Sequence, residues 1–525
     1  MPNLPYMAID KFLGMDTSRN SLSLIPGQLM LNHNYLYMAN GGIEQRGGGD
    51  KLTNAVVAGT PLYGLANFKT NSDNEYLIAI HNTDIYYYSS GWNSIYSAMT
   101  ANTKTRFEAA GSGANRALYV CNGVDIVKEV KNDVPTASEV ALSPTVTMMK
   151  LHKKRLFGIG TTDTMYFTDA SAFTTWATGT NTILIDPGNN GYLKALEVWG
   201  DALFIFKEYA VYVLPNASDP TPATDWLILR TDASTGTQSP DTVKRTRDGI
   251  YYFGTDNFIH KIAPDITYSS AEYSLGGSGN PIVSYAIQDD LVALADLSAK
   301  ARYMSVVHKD LYIFSFQSIN ASGTFNDKTF FADTTKFLPG TNISVPQPFW
   351  GEFTGFDYNF YAQQTVSDYI GLYGAKGDTG EVHQTLDPGS HDDNGDAIQS
   401  KFQLGWVAPG GPGLYKVLKN IKFIADIENW TISLKLSAYN LRAGLPDPEE
   451  GQAKVFNPEN TLSAAIVGTA VTDSGITLTT TGIAGQQFRT GLRGNYFTVE
   501  GYNEGAGEFN RINKILLFYK PIKQI

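Results

Sequence analysis

The chain has 525 residues, of which 17% are charged and 12% aromatic, and its 51 acidic residues outnumber 40 Lys and Arg to give a net charge of -11. Few charges together with plentiful Gly, Ser, Thr, Asn and aromatic residues indicate many short strands joined by turns, in two or three domains unless a repeat array stretches one of them. This acidic balance, whose densest basic cluster is only HKKR at 152–155, excludes phosphate-neutralising nucleic-acid binding as the main activity.

Cys121 is the only cysteine, which excludes an intrachain disulfide and a Cys metal cluster. It falls inside a predicted strand, so we expect a buried, inert thiol. The N-terminal sequence has no basic region followed by an apolar one, and no stretch approaches about 18 apolar residues. These features predict a chain without a membrane span that folds in a reducing cytoplasm.

Residues 1–50 are predicted to form an extended N-terminal segment with strand pairing. The stretch QLMLNHNYLYM, which begins at Gln28, alternates as a strand does, and the following NGG can turn it into a partner strand. We therefore do not expect a separate domain here.

A loosely repeated phrase dominates residues 51–395. Each copy has a run of Leu, Ile, Tyr and Phe, a small polar turn and a second aromatic run, which is typical of a β-hairpin. The apolar residue at the centre of each first run, which we call the pivot, recurs at intervals of roughly 40 to 60 residues, the period of four-stranded propeller blades. The pivots are Leu77, Leu118, Leu156, Leu203, Ile250, Leu311 and Ile370. The predicted fold is an all-β propeller of about six or seven irregular blades, with little helix.

One helix is predicted near residues 284–300, within the propeller. Ile287, Leu291, Leu294 and Leu297 share one side of it, and the stretch contains neither Gly nor Pro. We expect this helix to decorate or brace the blades.

Residues 396–525 alternate more strictly and lack the blade spacing. Runs such as KVLKNIKFIADI and INKILLFYKPI have period two with one apolar face, which suits paired sheets. A C-terminal domain resembling a β-sandwich is predicted over these residues.

The acidic run HDDNGDA offers a weak candidate for calcium binding. Asp392, Asn394 and Asp396 occupy the first, third and fifth places of an EF-hand loop. Ala397 stands where the loop needs Gly and Gln403 where it needs a bidentate Glu, so a solvated Asx turn is the competing interpretation. The seven His residues are scattered singly, and neither a phosphate-binding Gly loop nor a nucleophile elbow occurs. We predict no cofactor and no catalytic residue.

Glycoside hydrolysis is the enzymatic alternative, because it needs only two carboxylates that can lie far apart in sequence. Most acidic residues stand where turns favour them, and the Asp-box pattern of sialidase propellers is absent. Tyr86, Tyr87, Tyr88 and Trp92 could stack on sugars, but alternating aromatic residues in a half-buried strand also serve as core and cross-strand pairs.

Four short motifs, read together, carry a resemblance. The first runs from IPG at 25–27 through Asn34 and a Gly turn to QRGGG at 45–49. The second is HKKRLFGIGTTDTMYFTDASAFTTW, ending at Trp176, and the third is TGTQSPDTVKRTRDGIYYFGTDNFIHKI. The fourth is the closing FRTGLRGNYFTVEGYNEGAGEFNRINKILLFYKPI.

This series resembles the β-propeller tail-nozzle proteins of short-tailed bacteriophages, also described as tail-hub or packaged-DNA stabilisation proteins. Where those proteins often have Arg-Pro-Gly, this chain has Gly47 after Arg46. The residues that carry the resemblance are expected to be structural; they are Pro26, Gly27, Asn34, Arg46, Gly47, Arg155, Trp176, Gly249, Tyr251 and Arg493.

The resemblance implies a non-enzymatic virion protein of the phage tail, made and assembled in the host cytoplasm. It implies a homohexameric ring below the portal and its adaptor ring, in contact with tail fibres or spikes, through which double-stranded DNA passes without specific binding. A negative net charge suits such a conduit, because cationic walls would hold phosphates by counterion release. Two alternatives stay open: a propeller that binds or degrades glycans in host receptor recognition, with an aromatic and carboxylate-lined pocket at the blade axis, and a propeller with an unrelated partner.

Overall fold

The computed structural model describes residues 4–215, 226–262, 280–339, 346–366, 368–428, 430–439, 482–503 and 509–522, with short strands at 267–268, 273–274, 454–456 and 476–478. The first six strands come from the N-terminal segment; they are β1 (Tyr6–Ile9), β2 (Leu13–Met15), β3 (Gln28–His33), β4 (Tyr35–Tyr37), β5 (Ile43–Gln45) and β6 (Gly48–Lys51).

Four antiparallel sheets of four strands follow, and each is one propeller blade. Blade 1 is β7 (Gly64–Lys69), β8 (Glu75–His81), β9 (Asp84–Tyr88) and β10 (Trp92–Tyr96). Blade 2 is β11 (Arg106–Ala110), β12 (Ala117–Cys121), β13 (Lys128–Lys131) and β14 (Thr136–Glu139). Blade 3 is β15 (Met148–His152), β16 (Arg155–Ile159), β17 (Thr164–Phe167) and β18 (Thr182–Leu184). Blade 4 is β19 (Leu193–Trp199), β20 (Ala202–Lys207), β21 (Val211–Leu214) and β22 (Leu229–Arg230).

The last three blades are less regular. Blade 5 has three described strands, β23 (Lys244–Arg245), β24 (Ile250–Phe253) and β25 (Ile259–Ile262), and a small hairpin of β26 (Thr267–Tyr268) and β27 (Tyr273–Ser274) follows it. Blade 6 is β28 (Met304–His308), β29 (Leu311–Phe316), β30 (Lys328–Phe337) and β31 (Pro348–Phe353). Blade 7 is β32 (Tyr358–Val366), β33 (Tyr369–Lys376) and β34 (Val382–Asp387), and its fourth strand is β6.

The remaining strands belong to the C-terminal part of the chain. They are β35 (Asp392–Asp393), β36 (Asp396–Ala397), β37 (Ser400–Leu404), β38 (Lys416–Glu428), β39 (Trp430–Tyr439), β40 (Lys454–Phe456), β41 (Ile476–Leu478), β42 (Gly482–Gly494), β43 (Tyr496–Asn503) and β44 (Phe509–Pro521).

The seven blades close into a ring. The first strand of each blade lies beside the first strand of the next, and β32 of blade 7 lies beside β7 of blade 1. The ring is also fastened at its outer edge, because β6 pairs antiparallel with β34, Asp50 opposite Gln384. The predicted β-propeller is therefore confirmed, and within the described residues it has seven blades.

Each pivot predicted from the sequence lies in the second strand of a blade. Five of the seven pivots are buried, and Leu156, Leu203 and Ile250 completely so. Leu311 is half-buried and Ile370 is exposed. Neighbouring blades pack through aromatic contacts, as where the ring centroids of Phe206 in blade 4 and Tyr252 in blade 5 lie 5.1 Å apart. The repeated phrase is thus the second and third strands of a blade, with apolar residues on both faces because each blade is covered on both sides.

The C-terminal strands form a sandwich with the N-terminal segment. One sheet has the order β4-β5-β44-β38-β42, with β1 on the edge of β44, and the other contains β2-β3-β37-β43-β39-β40. Tyr35 of the first sheet packs edge-on against Phe402 of the second at 5.8 Å. The second sheet continues into blade 6, because β2 pairs with β31. Residues 396–525 therefore do not form the sandwich alone, and residues 1–50 supply strands to both of its sheets and to blade 7.

The helix predicted near 284–300 is shorter than expected. Helix α1 spans Gln288–Leu294 after a 3-10 turn at Tyr285–Ile287, and a separate 3-10 helix spans Leu297–Arg302. The break occurs because Ala295 forms a β-bridge with Ser318 and the Asp296 carboxylate accepts a hydrogen bond from the Ser298 amide. An N-cap starts a new helix, so the single continuous helix that the apolar periodicity predicts is divided into two elements.

Candidate functional site

The first strands of the blades surround a cavity on the propeller axis, the axial cavity. It has two adjoining parts, of about 520 Å³ and about 480 Å³, which share Lys150, Glu197, Lys244, Met304 and Tyr361 as lining residues. This volume is in the range of small-molecule sites. Charged side chains of blades 2 to 5 line it, in contrast to the apolar interior between the blades.

Four of these charged residues occupy equivalent positions in consecutive blades. Glu108, Lys150, Glu197 and Lys244 each pair across the strands with the residue that directly follows a pivot, namely Tyr119, Phe157, Phe204 and Tyr251. Their charges alternate around the ring. In blade 6 the equivalent position is Val307, opposite Tyr312, so the charged arc ends there.

An ion pair crosses the axis. The Asp241 carboxylate, in the 3-10 turn before β23, accepts hydrogen bonds from Arg106 Nε at 2.6 Å and Nη2 at 2.7 Å, and Lys104 Nζ lies 2.7 Å from it. Burial alone would raise the pKa of Asp241, but the Arg106 and Lys104 charges hold it well below its usual range. Because blades 2 and 5 are not neighbours, this bridge fills the centre of the propeller.

Two more contacts join adjacent blades in the charged arc. Lys150 Nζ lies 2.9 Å from Glu197, and the Glu108 carboxylate accepts a hydrogen bond from the Leu151 amide at 2.9 Å. Burial would lower the pKa of Lys150, but Glu197 and Glu108 raise it to about 12. Burial raises the pKa of Glu108, only partly offset by Lys150.

Lys244 and Arg245 complete the charged wall of the axial cavity. Within the described residues Lys244 Nζ makes neither a hydrogen bond nor an ion pair, and burial lowers its pKa despite the attraction of Asp241. The Arg245 guanidinium lies over the Trp199 ring, 5.3 Å from its centroid. This cluster was not predicted from the sequence; an alignment of the blades on their pivots would have revealed its alternating charges.

Three residues of the N-terminal motif converge at the junction of propeller and sandwich. Asn34 is buried with a φ of 62°; its Nδ2 donates to Gln399 O at 2.8 Å and its Oδ1 accepts from Arg46 Nε at 2.9 Å. A Cβ at Gly47 would lie 2.3 Å from Asp387 O. No larger residue fits there without movement of the backbone.

Arg46 is the centre of this junction and is completely buried. Its guanidinium donates two hydrogen bonds to the Asp393 carboxylate, at 3.0 and 2.5 Å, and lies 5.4 Å from the Phe356 ring centroid. A bidentate Arg–carboxylate pair fixes direction as well as distance. The N-terminal segment is thereby locked to the end of blade 7.

The residues of the calcium candidate form a tight hairpin. Asp392 and Asp396 lie on the two strands of a tight hairpin whose turn is Asn394–Gly395, both with positive φ. The Asp392 carboxylate accepts a hydrogen bond from the Gly395 amide at 2.7 Å. Over the described part of the chain no group of three or more His, Cys, Asp or Glu side chains could hold a metal ion. The acidic run is therefore the Asx turn that was the competing interpretation, and its Asn-Gly pair suits the hairpin.

The other motif residues lie apart from one another. Pro26 and Gly27 form the centre of a turn in which the Gln28 amide donates to Ile25 O at 3.0 Å, with a φ of 95° at Gly27. Arg155 lies over Trp226, Trp176 is in the core between blades 2 and 3, and Tyr251 is fully buried in blade 5. Gly249 precedes β24, and Arg493 is exposed near the end of β42. These residues do not assemble a site.

Cys121 is buried and free, as predicted. Burial raises the pKa of its thiol to about 12. In the part of the chain that is described, no helix is long and apolar enough to cross a membrane.

No protein-family model and no curated protein matches the chain. Among solved structures it is similar to BBS1N in complex with ARL6DN, at 10% identity over 66% of this chain and 98% of the other, with a TM-score of 0.38. It is also similar to PorZ of Porphyromonas gingivalis, at 11% identity over 69% of this chain and 43% of the other, with a TM-score of 0.37. A third is Raptor of Chaetomium thermophilum, at 10% identity over 64% of this chain and 30% of the other, with a TM-score of 0.37.

Proposed function

We propose that the chain is a non-enzymatic structural protein of a short-tailed bacteriophage virion, a tail-nozzle subunit that forms a ring-shaped conduit below the portal and adaptor. The proposal starts from the four sequence motifs that resemble this class of tail protein. In it, six copies surround the path of the DNA, retain it before infection and let it pass at ejection. The adaptor ring and the tail fibres or spikes are the partners.

One observation supports this proposal most strongly: propeller and sandwich share a continuous sheet. Blade 6 runs through β31 into β2, β3, β37, β43 and β39 by backbone pairing. Force applied to the sandwich is therefore carried into the propeller by strands rather than by a flexible linker. Such continuity suits a part that must resist the pressure of packaged DNA, whereas ligand-binding domains are commonly hinged.

The axis of the propeller is unsuited to be the conduit. The Asp241 ion pair crosses it, and the axial cavity has a volume of only about 520 Å³ in one part and about 480 Å³ in the other, far too small for duplex DNA. In the proposed ring the DNA therefore runs between copies, along surfaces whose acidic balance keeps phosphates unbound.

Electron microscopy tests this proposal directly. Negative-stain images of the purified chain, alone and with adaptor rings, are expected to show closed rings with a central pore. The variant Arg46→Met, which weakens the junction of propeller and sandwich, is expected to give fewer rings than the unmodified chain. A stable monomer with no affinity for adaptor rings would refute the proposal.

The glycan-binding or glycan-degrading propeller is kept as a second candidate because of the axial cavity. Phe107, Phe360 and Tyr361 line it together with Glu108 and Glu197, as that alternative requires. Against it, Glu197 is bound to Lys150, so the two carboxylates do not form a free acid–base pair. Binding or cleavage of a host surface glycan, lost in Glu108→Gln with the fold intact, would favour this candidate over the conduit.

A further inference from the structure

One part of the axial cavity has an excess of positive charge. Lys150, Lys244 and Arg245 line its volume of about 520 Å³, and Glu197 is the one acidic residue among its lining residues. The chain as a whole has a net charge of -11. A cationic pocket in an acidic protein concentrates anions locally.

Only one of these three cations, Lys150, forms an ion pair within the described residues. Glu197 is bound by Lys150 at 2.9 Å, which leaves Lys244 Nζ without an ion-pair partner among the described residues. The carboxylates of Asp241 and Glu197 attract Lys244 without contacting its Nζ, and the neighbouring charge of Lys150 opposes it. An enclosed cation that lacks a partner is costly, and a bound anion would remove both the desolvation penalty and the repulsion.

We propose that the axial cavity binds a small multivalent oxyanion of the phosphate class, held by Lys244, Arg245 and Lys150. The planar guanidinium of Arg245, oriented by Trp199, suits two oxygens of one phosphate, and the two ammonium groups suit its remaining charge. The apolar walls formed by Leu151, Val198 and Val306 favour a compact ligand that sheds its water. The proposal does not depend on the tail-nozzle function.

Isothermal titration calorimetry of the full chain with inorganic pyrophosphate tests the site. We expect saturable binding that weakens with added salt. Lys244→Met should lower the affinity by about tenfold or more, since a hydrogen bond to a charged group contributes about 1.5–3 kcal/mol. Lys244→Arg should restore most of it. The matched control is Lys419→Met, because Lys419 is exposed on the sandwich.

Thermal unfolding separates loss of the site from loss of the fold. Without ligand, Lys244→Met should be at least as stable as the unmodified chain, because it removes an unpaired enclosed charge, but pyrophosphate should no longer raise its melting temperature. The proposal is overturned if pyrophosphate gives no saturable heat, if Lys244→Met binds it as tightly as the unmodified chain, or if a neutral disaccharide competes equally for the cavity.

Discussion

The axial ion pair predicts a large loss of stability in Asp241→Asn. Asp241 is 4% exposed and accepts charged hydrogen bonds from Arg106 at 2.6 and 2.7 Å, with Lys104 Nζ at 2.7 Å. The variant keeps the shape of the side chain but leaves two cations in the cavity without their carboxylate. Removal of one partner of a buried ion pair costs about 3–5 kcal/mol, so we expect a decrease of that size in the free energy of unfolding.

Equilibrium urea unfolding, followed by tryptophan fluorescence, measures this loss. Trp176, Trp199 and Trp226 lie in or beside blades 3 and 4 and report on the propeller. The control is Asp10→Asn, because Asp10 is exposed, and it should change the free energy of unfolding by less than about 0.5 kcal/mol. A change below about 1 kcal/mol in Asp241→Asn would refute the reasoning, since it would fall outside the range for a buried pair.

The Asp241 ion pair also predicts how the stability of the chain depends on pH. The pKa of Asp241 is lowered in the folded chain, so its contribution is complete above the unfolded carboxyl value of about 3.9. As the pH falls below that value, the unfolded chain takes up a proton before the folded chain does, and the contribution declines. The difference in stability between the unmodified chain and Asp241→Asn should therefore be constant above about pH 5 and shrink in stronger acid.

Three further predictions concern other parts of the fold. Asp393→Asn breaks the ion pair with Arg46 and should lower the stability measured by thermal unfolding by about 2 kcal/mol. The loss is smaller than for a fully buried pair because the Asp393 side chain is 32% exposed. Asp396→Asn is the control and should have little effect. Gly27→Ala should lower the free energy of unfolding by more than about 1 kcal/mol, because its φ is 95° and a Cβ would lie 2.2 Å from Lys11 O. Gly59→Ala is the control for backbone strain alone, because Gly59 has a φ of 73° but open space around it. Equal losses of stability in the two variants would contradict the clash at Gly27. Cys121 should not react with a thiol reagent at pH 8 until urea unfolds the chain, and rapid labelling of the folded chain would show that blade 2 opens.

The blades could be predicted from the sequence because a hairpin is local. Leu203 and Ile250 lie within runs whose turn and partner strand follow directly, so composition and period identify them. The partners of the N-terminal strands could not be predicted, since Glu44 binds Arg511 and Asp50 pairs with Gln384, residues far away in the chain. Alternating polarity indicates that a strand has one buried face, but it does not indicate which other strand covers that face.

The axial cavity was missed for a related reason. Each of Glu108, Lys150, Glu197 and Lys244 looks like an ordinary charge at a strand edge when its blade is considered alone. Only the closure of the ring brings the four side chains to one axis. The calcium candidate is the opposite case, because its residues are close in sequence and the Asp392 carboxylate accepts a hydrogen bond within its own turn.

Strand β6 also determines when the ring can be completed. It is made early in synthesis, while its partner β34 leaves the ribosome more than three hundred residues later. Until then the nascent propeller is an open arc in which β6 lacks its partner strand and is exposed to pairing with other chains. Closure of the propeller is therefore expected to be one late step that joins the two ends of the ring, and chaperones that shield strand edges should raise the yield of assembled protein.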